Sequence, residues 1–205
     1  MTSDPHIPVA ISARHVHLTR KSIDRLFGEG HELHVHAMLS QPGQFAAEET
    51  VTLVGPNGLL PHVRIVGPVR SADQVEISRS DEYTLGLDAP VRLSGELDQT
   101  PGILIQGPLG QMRLDHGVVL ARRHIHMSPA EAEALQVFDH EIVSVAIQNG
   151  DRDVVYGDVV VRVASDYRLE LHLDTDEGNA AGLHSGDQAL LIAPTPGRAR
   201  LQRRP

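Results

Sequence analysis

One stretch of this chain occurs twice, and that repeat constrains the fold more than any other feature. Ile11-Ser12-Ala13-Arg14-His15-Val16-His17-Leu18-Thr19 lines up with Leu120-Ala121-Arg122-Arg123-His124-Ile125-His126-Met127-Ser128. The Arg, both His, the aliphatic residue between them and the terminal hydroxyl all match. Leu26 and Leu135 then fall in register further on. A His-aliphatic-His step in a strand puts both imidazoles on one face and the aliphatic side chain on the other. The hydroxyl that follows is a helix start signal. Thr19 can cap a helix running to about Phe27. Ser128, with Pro129 next and Glu131 three residues on, makes a capping box for a helix running to about Val137. The chain therefore reads as two related halves, each with a strand that ends in His-x-His and enters a capped helix. Two barrels facing each other would bring both motifs to one cleft.

The rest of the pattern is mostly period two, the mark of strands. Residues 51–54, 63–66, 75–77, 103–105, 118–120, 142–145 and 159–163 all read as strands. They are separated by Gly55-Pro56, Asn57-Gly58, Gly67-Pro68, Gly107-Pro108 and Asn149-Gly150. That spacing predicts a mainly β chain of barrels or sandwiches. Aromatic residues are only 3%, so Val, Leu and Ile must fill the core. The segment from Pro194, with Pro196, Gly197 and several Arg, reads as a mobile tail.

The chain has no Cys. Disulfides, iron–sulfur clusters, thiolate zinc sites and a Cys nucleophile are thereby excluded. Any metal must be held by His, Asp or Glu, and there are 13 His. Two His-x-His strands in equivalent positions predict a metal site built from His15, His17, His124 and His126. Two ions need further ligands. His172, in the alternating run Arg168 to Asp174, faces away from Leu169, Leu171 and Leu173; its ordinary alternative is a solvated histidine. Glu76, between Val75 and Ile77, is otherwise an exposed strand carboxylate, and Arg70 otherwise a structural ion-pair partner at the start of a strand. Arg14 and Arg123 could orient a ligating side chain or hold phosphate. A third His-x-His, His34-Val35-His36 with His31 nearby, lacks the Arg and the capped helix and reads as an exposed patch without function.

The net charge of −9 argues against a nucleic-acid partner. Lys21 is the only Lys, so anion binding falls to Arg, which keeps its proton and can grip phosphate with two parallel hydrogen bonds. No phosphate-cradling loop or nucleophile elbow is present. No apolar run approaches a membrane span. The N-terminal MTSDPHIPVA lacks a basic region followed by an apolar stretch, so it does not read as a secretory signal. The expectation is a cytoplasmic protein.

These residues belong to longer motifs: SARHVHLT (Ser12–Thr19), QPGQFAAEETVTLVGP (Gln41–Pro56), GPVRSADQVEISRSDEY (Gly67–Tyr83), ARRHIHMSP (Ala121–Pro129) and HLDTDEGNAAG (His172–Gly182). In them the chain resembles the PduL-type phosphotransacylases (phosphate propanoyltransferases), from about Val9 to Ala193. The resemblance implies two small β-barrels, each topped by a short helix, with a two-zinc site between them. It implies discontinuous domains: 1–13 plus 122–194 as the first barrel, 14–121 as the second, and 195–205 as a flexible tail. It implies one zinc on His15, His17 and Glu76 and another on His124, His126 and His172. Arg70 matches the family's catalytic, phosphate-binding arginine. Coenzyme A would contact Ser12, Ala13, Arg14, Arg64 and Asn179. Where many members carry Lys in a Gly-Pro-Lys-Gly turn, this chain has Asn57, so coenzyme A loses one cationic contact.

The implied reaction interconverts propanoyl-CoA or acetyl-CoA plus phosphate with acyl phosphate plus CoA, by direct phosphate attack. The resemblance also brings in propanediol degradation, a homodimer, and microcompartment shell or enzyme partners, with no membrane or nucleic acid. Members often carry an N-terminal amphipathic helix that directs them into a bacterial microcompartment; the leader here is short and proline-broken. The competing readings are a zinc-dependent thioesterase or hydrolase, which differs only in its nucleophile, and a non-enzymatic metal-binding microcompartment module.

Overall fold

The computed structural model describes residues 6–192, so the tail expected from Pro194 lies outside the described residues. The chain is mainly β, with four short helices among those residues. Strand β1 (His6–Ser12) runs into β2 (His15–His17), and Thr19 then caps helix α1 (Arg20–Phe27). Next come β3 (Val35–Met38), β4 (Phe45–Val54), β5 (Leu59–Gly67), β6 (Gln74–Ile77) and α2 (Arg79–Leu85). β7 (Val91–Arg92), β8 (Ile103–Gln106), β9 (Gln111–Leu114) and β10 (Val118–Ala121) lead to β11 (His124–Met127) and α3 (Pro129–Leu135). β12 (Ile142–Ile147), β13 (Val154–Val163), β14 (Glu170–Asp174), α4 (Thr175–Ala181) and β15 (Gln188–Ile192) complete the described chain.

The strands form two sheets. One is a closed barrel in the order β1-β14-β11-β13-β12-β15. The other is curled but open, in the order β7-β10-β6-β2-β5-β4-β8-β9, with β3 on the far side of β4. Each sheet has its own aliphatic core. Ile23, Leu26, Leu53, Ile65, Leu85 and Ile105 pack inside the open sheet. Ile7, Ile125, Met127, Leu171 and Leu173 pack inside the barrel. Period-two alternation supplies both cores, because each strand turns one row of aliphatic side chains inward.

The repeat is carried further than its matching stretch, because the two halves exchange strands. β1 leads β2 in the chain, but β1 lies in the barrel, parallel to β14, while β2 lies in the open sheet beside β6. β10 leads β11, but β10 lies in the open sheet, parallel to β6, while β11 lies in the barrel beside β14. The chain thus crosses from one sheet to the other twice, at Ala13–Arg14 and at Arg122–Arg123. Each crossing delivers a His-x-His strand at the junction.

Helix α1 starts at Thr19, as its hydroxyl predicts. Helix α3 stops at Leu135, short of the expected Val137, because Gln136 adopts a left-handed conformation and closes the helix. Two more helices follow β6 and β14. Ser78 with Asp81, and Asp174 with Glu177, form their capping boxes. Two of the three Gly-Pro turns, Gly55-Pro56 and Gly107-Pro108, cap helices rather than merely joining strands. Leu109 N–H donates to Leu26 O at the end of α1, and Asn57 N–H donates to Leu85 O at the end of α2. Gly107 is required by this contact, since a Cβ there would lie 2.6 Å from Leu26 O. No helix among the described residues is long and apolar enough to cross a membrane.

Candidate active site

A cleft of about 830 Å³ runs between the two sheets. Both His-x-His strands open into it, and two clusters of three donor side chains line it. The first joins His15, His17 and Glu76; the second joins His124, His126 and His172. Within each cluster the donor atoms lie within 4.8 Å of one another.

Backbone carbonyls fix the ring orientations. His15 Nδ1 donates to Ala13 O and His124 Nδ1 donates to Arg122 O, both at 2.8 Å. Each acceptor sits two residues upstream, at the crossover between sheets. His17 Nδ1 donates to Val66 O at 3.0 Å. A carbonyl only accepts, so each Nδ1 carries the proton and each Nε2 turns a lone pair to the cleft. This is how metal-binding imidazoles are oriented. Glu76 lies 3.5 Å from His15 Nε2 and 3.8 Å from His17 Nε2. It is 9% exposed, not the surface carboxylate that strand statistics favour. Gln74 holds it, donating from Nε2 to Oε1 at 2.6 Å.

The second cluster is less satisfied. Neither ring nitrogen of His126 has a hydrogen-bond partner, nor does His172 Nε2, and all three atoms are buried. Glu170 Oε2 is 3.1 Å from His172 Nε2, yet that nitrogen makes no hydrogen bond. Leaving buried polar atoms unpaired costs roughly 1–3 kcal/mol each. Burial, and secondarily the neighbouring imidazoles, push His124 down to about 3 and His126 down to about 2. Burial likewise brings His17 to about 4, helped by His15 and Arg70 and opposed by Glu76. Burial alone would raise the Glu76 carboxyl; His15, His17 and His124 outweigh it and hold Glu76 below its ordinary value. At neutral pH His17, His124 and His126 are neutral imidazoles beside the Glu76 carboxylate. Divalent ions of the zinc type fit this donor set, and one would take a single nitrogen from each orphaned ring.

The remaining expected residues divide. Ser12, Ala13, Arg14, Arg64 and Arg70 line the cleft. Arg70 is exposed and lies in the β5–β6 loop rather than at the start of a strand. The loop is anchored, since Arg70 N–H donates to Leu18 O at 2.9 Å and Asp73 accepts from Thr19 N–H at 2.7 Å. Asn179 sits exposed on α4 and Asn57 caps α2; neither lines the cleft. Arg14 and Arg123 are each held by an ion pair to a helix start. Arg14 pairs with Asp81 at 3.2 Å and Arg123 with Glu177 at 2.9 Å, each the N3 carboxylate of a capping box.

Sequence reasoning missed the side chains that hold the second cluster. The connection from β3 to β4 reaches across to the barrel. There Ser40 donates to Glu170 at 2.6 Å, and Gln41 donates to Glu170 at 3.0 Å and to Arg168 O at 3.1 Å. Tyr167 stacks on His126 at 4.0 Å. The available signal was Gln41 itself, a polar residue that is 3% exposed and opens one of the long motifs.

With this geometry the comparisons agree. A family model described as phosphate propanoyltransferase matches residues 8–184. The phosphate propanoyltransferase of Thermotoga maritima is 51% identical over 192 residues, covering 94% of this chain and 91% of the relative. That of Salmonella typhimurium is 53% identical over 176 residues, covering 86% and 83%. That of Klebsiella pneumoniae subsp. pneumoniae is 51% identical over 190 residues, covering 93% and 90%. Paired three-donor clusters in one cleft, and half of all residues shared over nearly the whole length, place this chain in the phosphate propanoyltransferase family.

Proposed function

We propose that this acyltransferase moves a short acyl group, propanoyl or acetyl, between the sulfur of coenzyme A and inorganic phosphate, in the cleft between the two sheets. The observation that carries the reading is the pair of adjacent donor clusters with Arg70 on the same cleft wall. His15, His17 and Glu76 would hold one zinc ion; His124, His126 and His172 would hold the second. Bound there, zinc supplies a Lewis acid for the thioester oxygen and a partner for the leaving thiolate.

The chain's own groups do the positioning. Arg70 offers a rigid fork of N–H donors and binds phosphate at the cleft wall. Its exposure leaves the guanidinium available to an incoming anion. Ser12, Ala13 and Arg14 form the crossover segment along which coenzyme A lies, with Arg64 beside it. Asn179 belongs to this contact set only through the outer end of the groove. Gln74 holds the Glu76 carboxylate of the first cluster, and Glu170 lies beside His172 of the second. A phosphate oxygen forms a bond to the carbonyl carbon, the carbon–sulfur bond breaks, and the electron pair leaves with the sulfur of coenzyme A. The reverse reaction retraces this path. With no Cys in the chain, no thioester can form on the protein, and direct attack by phosphate is the simpler route. Among the described residues the domains follow the strand exchange: 6–13 with 122–192 as one, 14–121 as the other.

The test is CoA release from propanoyl-CoA and acetyl-CoA, with and without phosphate, alongside metal content. Phosphate-dependent release with two zinc ions per chain is expected. Release at the same rate without phosphate would make the protein a thioesterase. No turnover by fully metallated protein would sink the reading altogether.

A further inference from the structure

A third group of ligating side chains lies outside the cleft. His31, His34 and Glu49 bring donor atoms within 4.8 Å of one another, as closely as the clusters in the active site. None of the three lines the cleft. The pair that meets is His31 with His34; His36, two residues on in the His-x-His pattern, is not part of the group. Glu49 Oε1 receives both rings, from His31 Nε2 at 2.8 Å and from His34 Nδ1 at 2.8 Å. The carboxylate is 7% exposed, yet among the described residues its ion-pair partners are histidines alone. Phe27 stacks on the His31 ring at 5.2 Å and fixes it. The His34 backbone N–H donates to the same carboxylate at 3.1 Å. The donor set, two imidazoles and one carboxylate, is that of His15, His17 and Glu76.

We propose that His31, His34 and Glu49 form a separate, structural binding site for a divalent transition ion such as Zn²⁺. On binding, the ion replaces the ring protons that now bridge His31 Nε2 and His34 Nδ1 to Glu49; a neutral ring moves its proton to its other nitrogen, and a protonated ring releases one to solvent. His34 is 66% exposed, so the ion enters from the surface and retains water on its open side. The site joins the segment after α1 to β4. β4 pairs with β3, and the connection between them carries Ser40 and Gln41 to the barrel. An ion here therefore clamps the base of the segment whose tip holds Glu170.

The test counts ions by difference. The full-length protein is stripped with a chelator and dialysed against micromolar Zn²⁺, and bound zinc is measured by mass spectrometry. His34→Ala, at an exposed position, is compared with wild type, with Glu49→Gln and with His36→Ala. Wild type and His36→Ala should each bind one more ion than His34→Ala and Glu49→Gln. The difference is read whether the cleft holds two ions or none, so failure of the active-site assignment leaves it interpretable. Equal zinc in wild type and His34→Ala overturns the proposal. An equal loss from His36→Ala does so too, because it would mark scattered binding to surface imidazoles.

Discussion

Glu76 and His172 occupy the same position of the internal repeat. Glu76 faces His15 across the antiparallel pair β2–β6, and His172 faces His124 across the antiparallel pair β11–β14. Each lies two residues before a helix N-cap, Ser78 or Asp174. Each is followed by the N3 carboxylate that pairs with the Arg preceding His-x-His. The third donor of each cluster is thus a repeated position in which one half carries a carboxylate and the other an imidazole.

Register equivalence makes a substitution prediction. Glu76→His gives the first cluster the donor set of the second, on the same backbone geometry. It should keep an ion there, whereas Glu76→Leu should weaken binding by more than about 100-fold, beyond the usual effect of losing an outer partner. Metal content after dialysis at graded zinc concentration distinguishes them. If both variants lose the ion alike, the equivalence of register does not extend to the role of donor.

Gln41 makes a second prediction. It is buried, spans the two sheets, and shares Glu170 with Ser40. Gln41→Ala strands the backbone groups of Arg168 and leaves the Glu170 carboxylate to Ser40 alone, so unfolding should become easier by about 1–3 kcal/mol. Glu170 is then held less firmly beside His172. The zinc affinity of the second cluster should fall about 10–100-fold while that of the first is unchanged. Denaturant unfolding and site-resolved metal binding read the two effects separately.

Much of this was legible in the order of residues. Strand alternation, the twin His-x-His stretch and the hydroxyl caps are local patterns, and local patterns survive folding. The strand exchange was not legible from pattern, because β1 and β2 look like one continuous strand until their separate neighbours are known. The burial of Glu76 was hidden for a related reason. A carboxylate opposite Val75 and Ile77 faces solvent on an isolated sheet, but here that face is covered by the second sheet. The helices after β6 and β14 went unread, because their only signals are Ser78-x-x-Asp81 and Asp174-x-x-Glu177, and α2 and α4 are too short to show an apolar period. Gln41 gave no periodic signal at all; its partners lie about 130 residues away.

The pH dependence of stability provides a third prediction. Burial, and next the Asp174 charge, push the Glu177 carboxyl up to about 7 despite Arg123 beside it. Its ordinary value is 4.5. Between those values the folded protein holds a proton that the unfolded chain has released. The contribution of this group is therefore full below pH 4.5 and is lost as pH rises through 7. Glu177→Gln keeps an acceptor for the capping box and removes the titration. Relative to wild type, the variant should gain about 2–3 kcal/mol of stability between pH 4 and pH 8. Urea unfolding of both proteins at the two pH values checks it. An unchanged difference would mean that Arg123 keeps Glu177 ionised throughout.

Arg70 provides the last. It lies outside both donor clusters, and its backbone is fixed by Leu18 O while its side chain stays exposed on the cleft wall. Removing the guanidinium should therefore leave both metal clusters intact. Arg70→Ala should retain its zinc and raise the KM for phosphate by about 10-fold or more, the equivalent of one charge-assisted hydrogen bond to an anion at about 1.5–3 kcal/mol. The KM for acyl-CoA should change far less. Arg70→Lys keeps the charge but not the planar fork, and should recover only part of the loss. Steady-state kinetics with phosphate and acyl-CoA varied in turn, on protein of measured zinc content, separates a phosphate-binding arginine from a structural one. A structural arginine would lower stability or zinc content and raise both KM values together; a phosphate-binding arginine moves the phosphate KM alone.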